Sequence, residues 1–225
     1  MAIIEPIRHD VQQPSKIKRF SSPLRLWHWI NLIGISGSLI TVAINATITD
    51  DHTTAELMKT EFEKSGAKLS DEQTRSVAHV LSDSVWGIHI YFGYALAALL
   101  LFRLVLEFFQ LADQKFIRKI NTAYHQYKTI KKERELARHE LTVKAIYSVF
   151  YVLLIIMVIT GLFLAFEDAF AAYKSIRHAV KEVHGFCMYL IIAFILVHIA
   201  GVLMAERKEG KGIVSDMING GRNEN

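Results

Sequence analysis

The chain has 225 residues, 52% of them hydrophobic and only three proline, and a mean hydropathy of +0.25; this balance fits a small polytopic membrane protein and argues against a soluble domain. The net charge of +4 needs no nucleic-acid partner, because no motif for one is present and cationic cytoplasmic loops explain the same excess. Cys187 is the lone cysteine, which excludes an intrachain disulfide and a four-cysteine iron–sulfur cluster. Within an apolar run it reads as a small packed hydrophobe.

Four apolar stretches reach the roughly 20 residues a membrane helix needs. They cover about 24–48, 85–109, 143–166 and 183–205. The first is longer than a signal-peptide core and has no convincing A-x-A cleavage site, so it reads as a retained span. Lys16, Lys18, Arg19 and Arg25 precede or open it. The loop it leads into, 49–84, holds eight acidic residues against four basic ones. Within that loop Ser70-Asp71-Glu72-Gln73 has the form of a capping box, from which a helix would run unbroken into the second span.

The loop between spans two and three is basic, with Lys115, Arg118, Lys119, Lys128, Lys131, Lys132, Arg134 and Arg138. Over 116–138 it mixes these cations with Tyr124 and Tyr127 and reads as an amphipathic helix on the lipid surface or against a partner subunit. Arg207, Lys208 and Lys211 follow the fourth span. The positive-inside rule therefore predicts both termini and the 110–142 loop on the cytoplasmic side, with 49–84 outside. The expected architecture is all-α: an integral membrane four-helix up-and-down bundle, a single domain over 1–225.

Four histidines, His28, His89, His184 and His198, lie inside the apolar stretches. Imidazoles are expensive in lipid and usually serve a function. His184 and His198 are fourteen residues apart, which on a helix is just under four turns and about 21 Å of rise. They therefore share a face at opposite membrane depths. His28 enters span one from inside, and His89 enters span two from outside. Depth thus pairs His28 with His198 on the inner side and His89 with His184 on the outer side, and span three supplies no histidine. Two bis-imidazole sites point to two haem b groups with six-coordinate, low-spin iron. Without a C-x-x-C-H motif the haem is held noncovalently. The remaining histidines, at 9, 52, 79, 125, 139 and 178, fall in loops or tails, and only His139 lies near the inner depth.

At this point the residues resemble a known family. Arg25-Leu26-Trp27-His28-Trp29-Ile30 resembles the R-x-x-H-W opening of the first helix in bacterial cytochrome b561-type proteins, which include the b-type cytochrome subunits of nickel–iron hydrogenases. His89 with Phe92-Gly93-Tyr94 and Arg103 is similar to their second helix, and Thr160-Gly161 with Phe163 to the end of their third. Arg138-His139-Glu140 stands where hydrogenase cytochromes often have G-H-N-P. The fourteen-residue spacing of His184 and His198, with Phe194 between, matches their fourth helix. Gly185 and Tyr189 depart from the usual basic residue and tryptophan, and the acidic outer loop is longer than expected.

The resemblance implies a di-haem conduit between a redox partner and the quinone pool of the bacterial inner membrane. In the hydrogenase form, electrons from a periplasmic iron–sulfur subunit enter at the outer haem and reach a quinone beside the inner one. Arg25, Asn31 and His139 are the candidate contacts to quinone or haem propionate, and His139 is a candidate proton donor. Arg25 and Arg103 would equally snorkel to headgroups, and Glu107 would pair with Arg103. Two other readings are open. A stand-alone superoxide:quinone oxidoreductase is disfavoured by the acidic outer loop, which would repel the anion. A non-redox membrane anchor leaves four buried imidazoles without a purpose.

Overall fold

The computed structural model describes residues 22–109, 134–207 and 212–220. Lys16, Lys18, Arg19 and most of the expected 116–138 helix lie outside the described residues, as do the side chains of Arg138, His139 and Glu107. Six α-helices are described: α1 Ser22–Thr47, α2 Asp51–Lys64, α3 Asp71–Phe109, α4 Arg134–Ala165, α5 Arg177–Arg207 and α6 Ile213–Asn219. A 3-10 turn, Ala171–Ile176, leads into α5. Four of the helices are long and apolar enough to cross a membrane. At 26 residues α1 is about 39 Å long, against a hydrocarbon core of about 30 Å. The 39 residues of α3 extend well past one bilayer core, because its first turns belong to the acidic loop.

Two compact units are distinguished. One comprises 30–98; the other comprises 1–29 with 99–225. In the 30–98 unit, α1 and α3 approach closely at Gly34 and Gly37. A Cβ at Gly37 would overlap the Phe92 ring, and one at Gly34 would meet Leu96 at 2.9 Å. Small residues at such crossings let membrane helices associate where no hydrophobic effect drives them together.

The same unit contains the hairpin made by α2 and the start of α3. Asp50 caps α2 by accepting the Thr53 amide (3.1 Å) and hydroxyl (3.0 Å). The backbone N–H of Thr53, then its hydroxyl, holds the Asp50 carboxyl below the usual aspartate range. The helix ends in a Schellman motif, with Gly66 N donating to Glu63 O (3.0 Å) and Ala67 N to Phe62 O (2.9 Å). Gly66 takes the left-handed φ of 82° that this ending requires. The capping box then forms as the sequence predicts: Gln73 N donates to Ser70 Oγ (3.2 Å) and Ser70 N to Gln73 Oε1 (2.9 Å). Lys59 and Asp71 join the two helices at 2.8 Å.

In the other unit α4 and α5 run antiparallel, with Gly161 against His184, Phe150 stacked on Phe194 at 4.5 Å, and Tyr147 edge-on to His198. Leu153 and Leu154 of α4 and Cys187 and Ile191 of α5 are buried, as a small packed cysteine should be. Arg177 donates to the Leu164 carbonyl near the end of α4 (3.0 Å) and pairs with Glu167, placing a cation where the helix dipole favours one. The short α6 has no counterpart among the expected elements. Glu206 accepts from the amides of Gly212 (2.8 Å) and Val214 (3.2 Å) at its start. Arg25 and Trp29 donate to its carbonyls at Ile218 (2.9 Å) and Met217 (3.1 Å).

Candidate haem site

His28 stands two turns into α1, and His198 lies toward the C-terminal end of α5. Their ring centres are 6.4 Å apart with the planes inclined at 50°. Two imidazoles on opposite sides of one iron, each bonded at about 2 Å, have centres about 6 Å apart. The pair therefore fits bis-imidazole ligation, with the rings free to differ in rotation about the axis. His28 Nδ1 is buried with no hydrogen-bond partner among the described residues. Such an orphan is costly in a low-dielectric interior.

Aromatic rings fix both imidazoles. Phe194, one turn before His198, stacks on it at 5.8 Å and 9°, and Tyr147 meets it edge-on at 6.1 Å. Trp29 approaches His28 edge-on at 5.3 Å. The neighbouring Trp27 donates Nε1–H to the Leu99 carbonyl (3.2 Å) and stacks on Tyr151. The Trp-His-Trp triplet thus ties α1 to three other segments of its unit, leaving the central imidazole aimed at α5.

His89 belongs to the 30–98 unit and His184 to the other. Within its own unit, His89 Nδ1 lies 2.9 Å from Thr41 Oγ1 and 3.3 Å from both Ser38 Oγ and the Ser38 carbonyl. His184 Nδ1 lies 2.8 Å from Thr160 Oγ1. The next residue, Gly161, makes room for the ring: a Cβ there would sit 3.2 Å from His184 Cε1. All four histidines are half-buried. Among the described residues no three His, Cys, Asp or Glu side chains gather into a metal site. A macrocycle that brings its own equatorial nitrogens needs only a pair.

The family model for prokaryotic cytochrome b561 matches residues 19–220. The chain belongs to the prokaryotic cytochrome b561 family. This cytochrome is accordingly a multi-pass membrane protein of all-α fold that binds haem b and takes part in electron transfer. No curated protein and no solved structure matches the chain.

The remaining candidate contacts divide. Arg25 is engaged by Ile218 O and Ser22 Oγ, while its Nε is buried without a hydrogen-bond partner among the described residues. Asn31 is buried on α1, and Arg103 is buried on α3. Sequence reasoning did not assign Thr41 a role and noted Thr160-Gly161 only as a resemblance. Polar residues one helix away from a histidine leave no spacing signal in the chain; contact between them depends on how two helices are rotated about their axes.

Proposed function

We propose that this cytochrome holds two haem b groups and passes electrons between a periplasmic redox partner and the quinone pool, with both termini in the cytoplasm. The observation that most supports it is the 6.4 Å separation of the His28 and His198 ring centres. His28 and His198 hold the cytoplasmic-side haem. His89 and His184 are assigned to the outer one by depth, since His184 lies fourteen residues before His198 on the same helix. The bound groups would supply one-electron oxidation and reduction at two depths of the bilayer.

The four histidines provide neutral nitrogen ligands, and the aromatic shell around His198 and His28 limits water and holds the rings in place. Arg25, through its spare Nε, and Asn31 are the residues proposed to contact a propionate or a quinone carbonyl. His139 is proposed as the proton donor for quinone, since imidazole titrates in the range such transfer needs. By analogy with the hydrogenase cytochromes alone, the partner proposed is a hydrogenase-type iron–sulfur subunit.

The test is a pyridine haemochrome assay with redox difference spectra on the purified chain. Two low-spin haems b per chain are expected; a chain without haem, after expression with adequate haem supply, would sink the reading. His28→Ala or His198→Ala should remove one haem, and His89→Ala or His184→Ala the other. Loss of a haem in His139→Ala with none lost in His28→Ala would reverse the pairing. For the quinone step, the reduced protein should be reoxidised by a short-chain quinone, and a chain that stays reduced would remove quinone from the scheme.

A further inference from the structure

Thr160 and Thr41 stand in the same relation to the two histidines assigned to the outer haem, and each settles where the proton sits. A threonine hydroxyl has one proton and two lone pairs. The Thr160 proton is committed to its own helix, to the carbonyls of Ile156 (2.7 Å) and Met157 (3.2 Å), the back-bond that threonine commonly makes in a helix. Toward His184 Nδ1, at 2.8 Å, the same oxygen has only lone pairs to offer. That nitrogen must therefore bear the hydrogen, and the ring's lone pair lies on Nε2. At the other histidine the Thr41 hydroxyl donates to the Ser38 carbonyl at 2.6 Å, so at 2.9 Å from His89 Nδ1 it too can only accept. The Ser38 carbonyl, an acceptor by nature, lies 3.3 Å from the same nitrogen and demands the same tautomer.

We propose that Thr41 and Thr160 are positioning residues that hold His89 and His184 in the Nδ1–H tautomer, presenting Nε2 to iron and raising the electron density on both outer ligands. This rests on the haem reading of His89 and His184. It gives α4, which supplies no ligand of its own, a part in the site. It also separates the two pairs, because His28 Nδ1 has no such acceptor among the described residues and is buried without a partner. An acceptor on the distal ring N–H makes imidazole a more basic ligand, which favours the oxidised metal.

The experiment compares Thr160→Val with Thr160→Ser in the full-length, haem-loaded protein, reading haem content, the low-spin electron paramagnetic resonance signature and the two midpoint potentials. Valine keeps the volume and removes the acceptor; serine restores the hydroxyl. In T160V the outer haem should shift to higher potential and bind about tenfold or more weakly, the inner one should be unchanged, and T160S should match wild type. Loss of the outer haem in T160V but not in T160S supports the lock equally. An outer potential that is unmoved or lowered in T160V, or changes that are the same in T160V and T160S, overturns it. The second arm is a Ser38→Ala, Thr41→Val double variant, since T41V alone leaves Ser38 Oγ 3.3 Å from His89; it should raise the same potential as T160V does, though by less, because the Ser38 carbonyl stays 3.3 Å from Nδ1, and raising the other one instead overturns the assignment. His184→Ala is the control on the underlying reading: if it keeps the full haem complement, the ligand assignment fails and the lock falls with it. If H184A loses one haem while T160V behaves as wild type, only the lock fails.

Discussion

At His184, two consecutive residues of α4 act on one imidazole: Thr160 accepts from Nδ1, and Gly161 leaves the space the ring occupies. A Cβ at Gly161 would lie 3.2 Å from Cε1, close enough that one partner must give way by a few tenths of an ångström. Gly161→Leu is therefore expected to displace the ring and remove one haem per chain by pyridine haemochrome. Gly161→Ala should retain it with an altered spectrum. Equal haem content in all three proteins would show that the ring has slack. Phe194 works differently, stacking on His198 from one turn away on the same helix. That contact lies within one turn of a single helix, whereas the one between Thr160 and His184 leaves no spacing signal, because it joins two helices. Arg25 makes the same point: it read as a contact to quinone or propionate, and its two terminal nitrogens are bonded to Ile218 and Ser22.

At the scale of elements, local chemistry was the most readable. Ser70-Asp71-Glu72-Gln73 forms both bonds of the capping box because they need only four consecutive residues. Ser70→Ala should weaken the first turns of α3 by about 1 kcal/mol, seen as faster amide exchange over 73–76 with unchanged exchange in the apolar part of the helix. Asp50 adds a pH term to the neighbouring α2. Its folded pKa is depressed, so its contribution is complete above the ordinary aspartate pKa and is lost as pH falls through the folded value. Acidification should therefore fray the start of α2, and Asp50→Asn should remove that dependence. The docking of α6 was not legible. It depends on Arg25 and Trp29, which lie more than 180 residues away in the chain. Trp29→Phe keeps the aromatic ring beside His28 and removes one hydrogen bond, so amide exchange in 217–220 should rise about fivefold. Unchanged exchange would mean that Arg25 alone holds α6.

For the whole molecule, the bilayer is the solvent, and the distribution of side chains follows from it. Ile33, Phe186 and Leu196 are at least 64% exposed, while Asn31, Thr41 and Arg103 are buried. A lipid-facing helix loses nothing by showing apolar groups outward and must hide its polar ones. The proposed orientation places the acidic 49–84 loop outside. An alkaline phosphatase fusion after Gly66 should be active and one at the C-terminus inactive; the reverse result would invert the depths of both proposed haems. What the sequence determined by itself is the set of spans, the capping box that opens α3 and the placing of four imidazoles within the apolar stretches. These are one-dimensional properties, set by the transfer of side chains to lipid and by rise per residue. Only the tertiary structure decided that His28 comes within 6.4 Å of His198, that Thr160 reaches His184 and that α6 closes on Arg25. Each of these depends on how one helix is turned toward another, and that is settled by packing between residues far apart in the chain.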